Sequence, residues 1–293
     1  MSLDNENIEV NTSEEYEKNP KQIADEKIRE IKQKAKDEIA EIKKNLIIET
    51  MSANKAAIDK ACKRENRRRY RAAKREEYIN RKNRYSFGEE IFNSITHGIG
   101  TGLSIAATVL LVVHACFAAP EQIRGFYVTS FAIFGASLIF VYLMSTLYHA
   151  LTPIGAKKVF AIFDHASIYI LIAGTYTPFC LAILHNALGW TLFGIIWGLT
   201  ALGVVLYSVF GSRMRIISAI TYIILGWMII FAIKPLINAL PTVSIVFLIA
   251  GGIVYTIGFA FYAAKNVKWM HPIWHIFAVS ASVLHFFALY LSI

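Results

Sequence analysis

His271 and His275 stand four residues apart in Met270-His271-Pro272-Ile273-Trp274-His275. On a helix that spacing puts two imidazoles on one face, about 6 Å apart, where one metal ion can reach both. By itself the pair leaves two readings open, a metal site or two solvated rings. A third imidazole, His149, ends the run Met144-Ser145-Thr146-Leu147-Tyr148-His149, and Ser145 lies one helical turn deeper on the same face. Asp164 is the only acidic residue from position 122 onward and stands in an otherwise apolar stretch. A lone carboxylate in such a place takes a cationic or metal partner, or is protonated. Three neutral imidazoles plus a water form a four-coordinate zinc site with one exchangeable position, the arrangement of catalytic centres and not of closed structural ones. Asp164, just outside the ligands, would accept or steer the proton of that water, and Ser145 would hydrogen-bond the water or an acyl oxygen of a substrate.

These groups need a scaffold, and the composition decides its solvent. The chain is 55% hydrophobic with a mean hydropathy of +0.45. Residues 1–85 hold 22 of the 30 Lys and Arg and 17 of the 21 Asp and Glu, leaving 8 basic and 4 acidic side chains for the other 208 positions. That is membrane composition. Apolar runs long enough to cross about 30 Å of hydrocarbon lie near 93–118, 126–149, 159–184, 189–210, 216–238, 243–264 and 272–292. Their connections are short and punctuated by Pro120, Pro153, Gly155, Gly211 and Pro241. The expected fold is all-α, a seven-transmembrane helix bundle (86–293) behind a charged helical extension (1–85).

The side of the membrane follows from the short connections. Arg81, Lys82 and Arg84, then Lys157 and Lys158, Arg213 and Arg215, and Lys265 and Lys268 fall on one side, against Arg124 and Lys234 on the other. The expectation is a plasma-membrane protein with a cytoplasmic N terminus and an outside C terminus. His149, Asp164, His271 and His275 then converge near the cytoplasmic face.

In the extension, Ile28, Ile31, Ala35, Ile39, Ile42 and Leu46 recur at helical spacing among Lys and Glu, and a basic run follows from Lys63 to Arg75. Two readings stand side by side. One is a partner helix or coiled coil with a patch for anionic lipid, so that residues 23–84 contact protein or membrane. The other is a solvated helix whose cations only enforce orientation. Nucleic acid is excluded as a partner, because the basic run is held beside a membrane surface.

The remaining histidines carry less. His97 is placed either to hydrogen-bond the site or to pack between helices. His165 lies about 100° around the helix from Asp164, so the two are not expected to face one point. His114 and His185 fall at the opposite membrane face, and His285 is expected to be packed and hydrogen-bonded. Cys62, Cys116 and Cys180 show no ligand spacing and read as free thiols.

Taken in order, Glu89-Glu90-Ile91-Phe92-Asn93-Ser94-Ile95-Thr96-His97-Gly98, the Ser145-to-His149 SxxxH, the Asp164 segment running to Thr177-Pro178-Phe179, and His271-Pro272-xx-His275 resemble the bacterial hemolysin III family. That family is the prokaryotic branch of the progestin and adiponectin receptor group. The resemblance covers residues 86–293 and implies zinc ligands at His149, His271 and His275, with Ser145 and Asp164 around them. It does not extend to residues 1–85. Relation of the wider group to alkaline ceramidases implies a zinc-dependent lipid amide or ester hydrolase. Two alternatives stay open: a non-enzymatic membrane sensor or homeostasis factor with structural zinc, and a channel-forming cytolysin as the family name suggests.

Overall fold

The computed structural model describes residues 20–49, 62–73, 85–264 and 267–293. It falls into two compact units, Met1–Arg81 and Lys82–Ile293. Arg81, Lys82, Arg84 and Lys265, used above for orientation, and parts of the lipid or protein contact expected over 23–84, lie outside the described residues.

In the first unit α1 covers Pro20–Glu49 and α2 covers 62–73. The second unit has α-helices and, among its described residues, no strand: α3 (Phe87–Ala118), α4 (Arg124–Ala150), α5 (Ile154–Pro178), α6 (Ala187–Phe210), α7 (Arg215–Trp227), α8 (Ile233–Ala239), α9 (Thr242–Ala263) and α10 (Met270–Tyr290). Seven helical stretches are long and apolar enough to cross a membrane, α7 and α8 together making the fifth. The protein is a multi-pass, seven-span bundle.

Every span starts before its apolar run, the first by the widest margin. The first span begins at Phe87 instead of 93, and the last at Met270 instead of 272. Counting apolar residues cuts off a polar first turn, whereas the backbone starts where its orphan N–H groups are capped. Ser86 caps α3 in a reciprocal box: Glu89 N–H donates to Ser86 Oγ (3.3 Å) and Ser86 N–H donates to the Glu89 carboxylate (2.7 Å).

The fifth span is also not one continuous helix. A 3-10 stretch, Met228–Ala232, separates α7 from α8. Pro235, in the first turn of α8, has no N–H and crowds the carbonyl four residues back. Backbone groups freed inside a bilayer need partners, and the Tyr176 hydroxyl on α5 supplies them. It donates to the carbonyls of Leu225 and Gly226 (2.9 Å each) and accepts from Ile229 N–H (2.7 Å). Tyr176→Phe leaves these groups in hydrocarbon without that partner, and we expect a loss of about 1–3 kcal/mol, read as a lower thermal midpoint in detergent with metal content unchanged.

Six helices form a ring: α3 packs on α4, α4 on α5, α5 on α7, α7 on α9, α9 on α10, and α10 closes back on α3. The ring encloses a cavity of about 340 Å³ lined by residues of all six. None of its lining residues comes from α6, which packs outside, against α5 and α7. Gly203 of α6 makes that seat possible, since a Cβ there would come within 2.5 Å of the Tyr169 ring. The slightest contact in the ring is between α7 and α9. There the lining residues Trp227, Ile230 and Ile249 are exposed on the bundle's outer surface, so the cavity opens sideways. Trp227 Nε1 donates across this gap to Thr256 Oγ1 (3.2 Å).

Candidate metal centre

Alternating helix direction brings the starts of α3, α5 and α10 and the end of α4 to one end of the bundle. The packing of α10 on α3 then sets His271 and His275 against His149. One ring nitrogen from each of the three lies within 4.8 Å of the other two. Their ring centroids are 4.6, 5.1 and 5.4 Å apart, a nearly equal-sided triangle, and all three residues are buried.

Nε2 of His271 and Nε2 of His275 face one another at 3.1 Å. Two imidazole lone pairs at that distance repel unless a proton or a cation lies between them. Two ligands at about 2.05 Å from a tetrahedral zinc stand about 3.3 Å apart, close to the spacing found. His149 Nδ1–H donates to Glu90 Oε2 at 2.6 Å, which fixes the tautomer and leaves the lone pair on Nε2. That nitrogen is buried with no hydrogen-bond partner. The donor set therefore fits a divalent ion that favours imidazole.

The sequence reading assigned no role to Glu90. Its second oxygen, Oε1, accepts from Lys157 Nζ at 2.6 Å, so one carboxylate ties the start of α3 to the end of α4 and the start of α5. Carboxylates behind metal-bound histidines set ring orientation and raise basicity, and losing one costs about 10–100-fold in metal affinity. Glu90→Gln keeps the shape and removes the charge. We expect its metal dissociation constant to rise within that range, measured by competition with a chromogenic chelator.

Glu89 does a parallel job on α10. Trp269, immediately before that helix, has a left-handed backbone (φ 66°), and its N–H donates to Glu89 Oε1 at 2.7 Å. This fixes the turn that delivers His271. The Ser-x-x-Glu pattern at Ser86 and Glu89 was the readable signal that the helix starts before its apolar run. Tyr85 stacks on His271 at 4.7 Å and meets His149 edge-on at 5.8 Å, covering the centre from outside the helices; no sequence spacing pointed to it.

Of the two roles open to His97, the structure shows packing. Its ring lies flat on His275, 3.6 Å between centroids and 9° between planes, with Tyr142 edge-on at 4.9 Å. Ser145 is buried, lines the cavity and has no hydrogen-bond partner at Oγ. Asp164 also lines the cavity, with Oδ2 3.4 Å from His165 Nδ1.

Asp164 and His165 both line the cavity without having to face one point. A space this wide is faced by about 100° of a helix surface, where a single point would not be. His285 lines the cavity too, seated against Gly251, where a Cβ would come within 2.5 Å of its ring. At the other end of the bundle His114 lies 3.2 Å from the Ile293 carbonyl, and His185 sits between α5 and α6 with Nδ1 2.8 Å from the Leu181 carbonyl. Cys62 and Cys116 are exposed and Cys180 is buried, each a free thiol.

Fold and centre together define a multi-pass membrane protein with three buried histidines that can hold a metal ion at one end of an apolar cavity. A family model described as "Haemolysin-III related" matches residues 85–286. The chain is 44% identical to "Hemolysin-3" of Bacillus cereus over 199 residues, 68% of this chain and 89% of the relative. It is 42% identical to the "Hemolysin-3 homolog" of Bacillus subtilis (strain 168) over 203 residues, 69% of this chain and 93% of that one. More distantly, it is 23% identical to the human "Monocyte to macrophage differentiation factor" over 168 residues, 54% of this chain and 68% of that protein. The chain belongs to the haemolysin-III-related family.

Proposed function

We propose that the protein is a zinc-dependent hydrolase that cleaves an amide or ester bond of a membrane lipid, with its N terminus in the cytoplasm of a cell bounded by the plasma membrane. The observation that carries this reading is the placing of the three histidines at the polar end of an apolar cavity that opens sideways between α7 and α9. Zinc held by His149, His271 and His275 supplies Lewis acidity toward a carbonyl oxygen and acidifies water.

The chain's own residues do the rest. The apolar walls from α4, α5, α7, α9 and α10 bind an acyl chain and exclude bulk water. Ser145 Oγ, buried and without a partner, hydrogen-bonds the acyl oxygen. The Asp164 carboxylate accepts the proton of the attacking water and returns it to the leaving group. Glu90 and Glu89 hold the imidazoles in place.

The test compares purified protein in lipid vesicles, loaded with zinc or stripped of it, against amide- and ester-linked lipids. Release of fatty acid by the zinc-loaded form alone supports the reading; equal rates from both forms would sink it. Ser145→Ala should lower turnover by about tenfold, the worth of roughly one hydrogen bond, with zinc content kept.

A second reading is favoured by the way the centre joins α4 to α10. There zinc is structural and the protein is a non-enzymatic sensor of its membrane. It predicts that stripping zinc lowers the unfolding midpoint while no lipid is hydrolysed.

A further inference from the structure

The apolar residues of α1 repeat every eleven positions. Ala24 and Ala35, Ile28 and Ile39, and Ile31 and Ile42 are three pairs eleven apart, and Leu46 continues the first of them by register. Eleven residues over three turns is 3.67 per turn, so on a helix of 3.6 per turn these positions form one stripe that drifts by only about 20° per repeat, over about 33 Å. The stripe is uncovered: Ile28, Ile31, Ile39 and Ile42 are 49%, 66%, 53% and 60% exposed.

Charge decides what covers it. Pro20–Glu49 carries eight basic and seven acidic side chains, intermixed around the helix. A surface of that balance gains almost nothing from anionic lipid, unlike residues 62–73, where six basic side chains face a single acid, Glu65. It is instead the composition with which helices pair. On one flank of the stripe lie Lys32 and Lys43, and on the other Lys27 and Glu38. In a parallel pair each flanking residue before a core position faces the residue five further along in the partner helix. Glu38 then meets Lys43 twice, once on each side, while Lys27 meets Lys32. The second repeat favours the parallel register and the first opposes it, which makes a modest pairing. Anchoring both copies in one membrane raises their effective concentration and compensates for a short helix.

We propose that α1 is a self-association element: the stripe of one chain docks in parallel on the same stripe of a second copy, forming a two-stranded helical coil outside the bilayer. The occupant is another copy of this chain, not lipid and not a different protein.

Full-length protein in native membranes tests this, with Cys62, Cys116 and Cys180 replaced by alanine and one cysteine introduced at Ala35 or Ile39 on the stripe, or at Gln33 or Asp37 on the far side. Mild oxidation should give a dimer band from the stripe positions and none from the far side. Glu38→Lys should remove the band, and Glu38→Lys combined with Lys43→Glu should restore it, a rescue that neither lipid binding nor a purely local helix defect produces. Energy transfer between fluorophores fused to the N termini of co-expressed chains repeats the comparison without touching the native cysteines. It should fall to background when Ile39 and Ile42 are both changed to lysine. Equal cross-linking around the helix, or transfer unchanged by the lysine pair, overturns the proposal.

Discussion

We expect His275→Ala to leave the purified protein without stoichiometric metal. With the three imidazoles as the chain's ligands, each would supply about a third of the protein's share of the bonding, and apparent binding free energies for structural zinc are about 10–16 kcal/mol. Removing one ligand therefore forfeits roughly 3–5 kcal/mol, a weakening of about two to three and a half orders of magnitude. The truncation also exposes the flat face of His97, which rests on the His275 ring at 3.6 Å, so His275→Gln is the companion variant that fills the space without restoring the ligand. Elemental analysis of wild type beside both variants reads the result. Metal retained at wild-type content in both removes the basis for the centre, because a site that survives loss of a ligand was never built from it. Activity against lipid, where present, should disappear in step with the metal.

Asp164→Ala separates the enzyme from the sensor. The carboxylate lines the cavity and is not among the three groups that converge within ligand distance. Zinc content should therefore stay at the wild-type level. General acid–base catalysis is worth about 10²–10⁴-fold, and lipid hydrolysis should fall by that factor while the vesicle-bound protein keeps its unfolding midpoint within experimental error. Asp164→Asn keeps the shape and the neighbourhood of His165 and should lose nearly as much. Hydrolysis that persists undiminished in both assigns the proton to another group. A variant that loses zinc as well makes Asp164 part of the metal's hold.

Which parts of this were legible in the sequence follows from the range of each signal. The HxxxH spacing is local, so His271 and His275 announce themselves within five residues, and alternation of span direction carries His149 and Asp164 to the same end without any structure. Glu90 stayed invisible for a physical reason. Apolar residues mark a span, so the polar first turn of α3 falls outside it, and the two contacts of Glu90 join residues 59 and 67 positions away. Ser86 and Glu89 carry a readable box, which places Glu90 on the first turn of the helix but not its direction.

Tyr176 was out of reach for a related reason. Pro235 warns that the fifth span is broken, but nothing local says that a hydroxyl from α5 takes up the freed backbone groups. Nor does hydropathy distinguish α6, which lines none of the cavity, from the six helices that do. Long apolar segments look alike until packing sorts them.

The sideways opening between α7 and α9 changes the units in which this protein's ligands should be counted. Anything that enters there comes from the plane of the bilayer, so its supply is a mole fraction of the surrounding lipid and not a concentration in water. Diluting a vesicle suspension at fixed composition should leave occupancy of the cavity unchanged, whereas adding inert lipid to the same vesicles should lower it in proportion. For such a chain, the composition of the membrane is the dose.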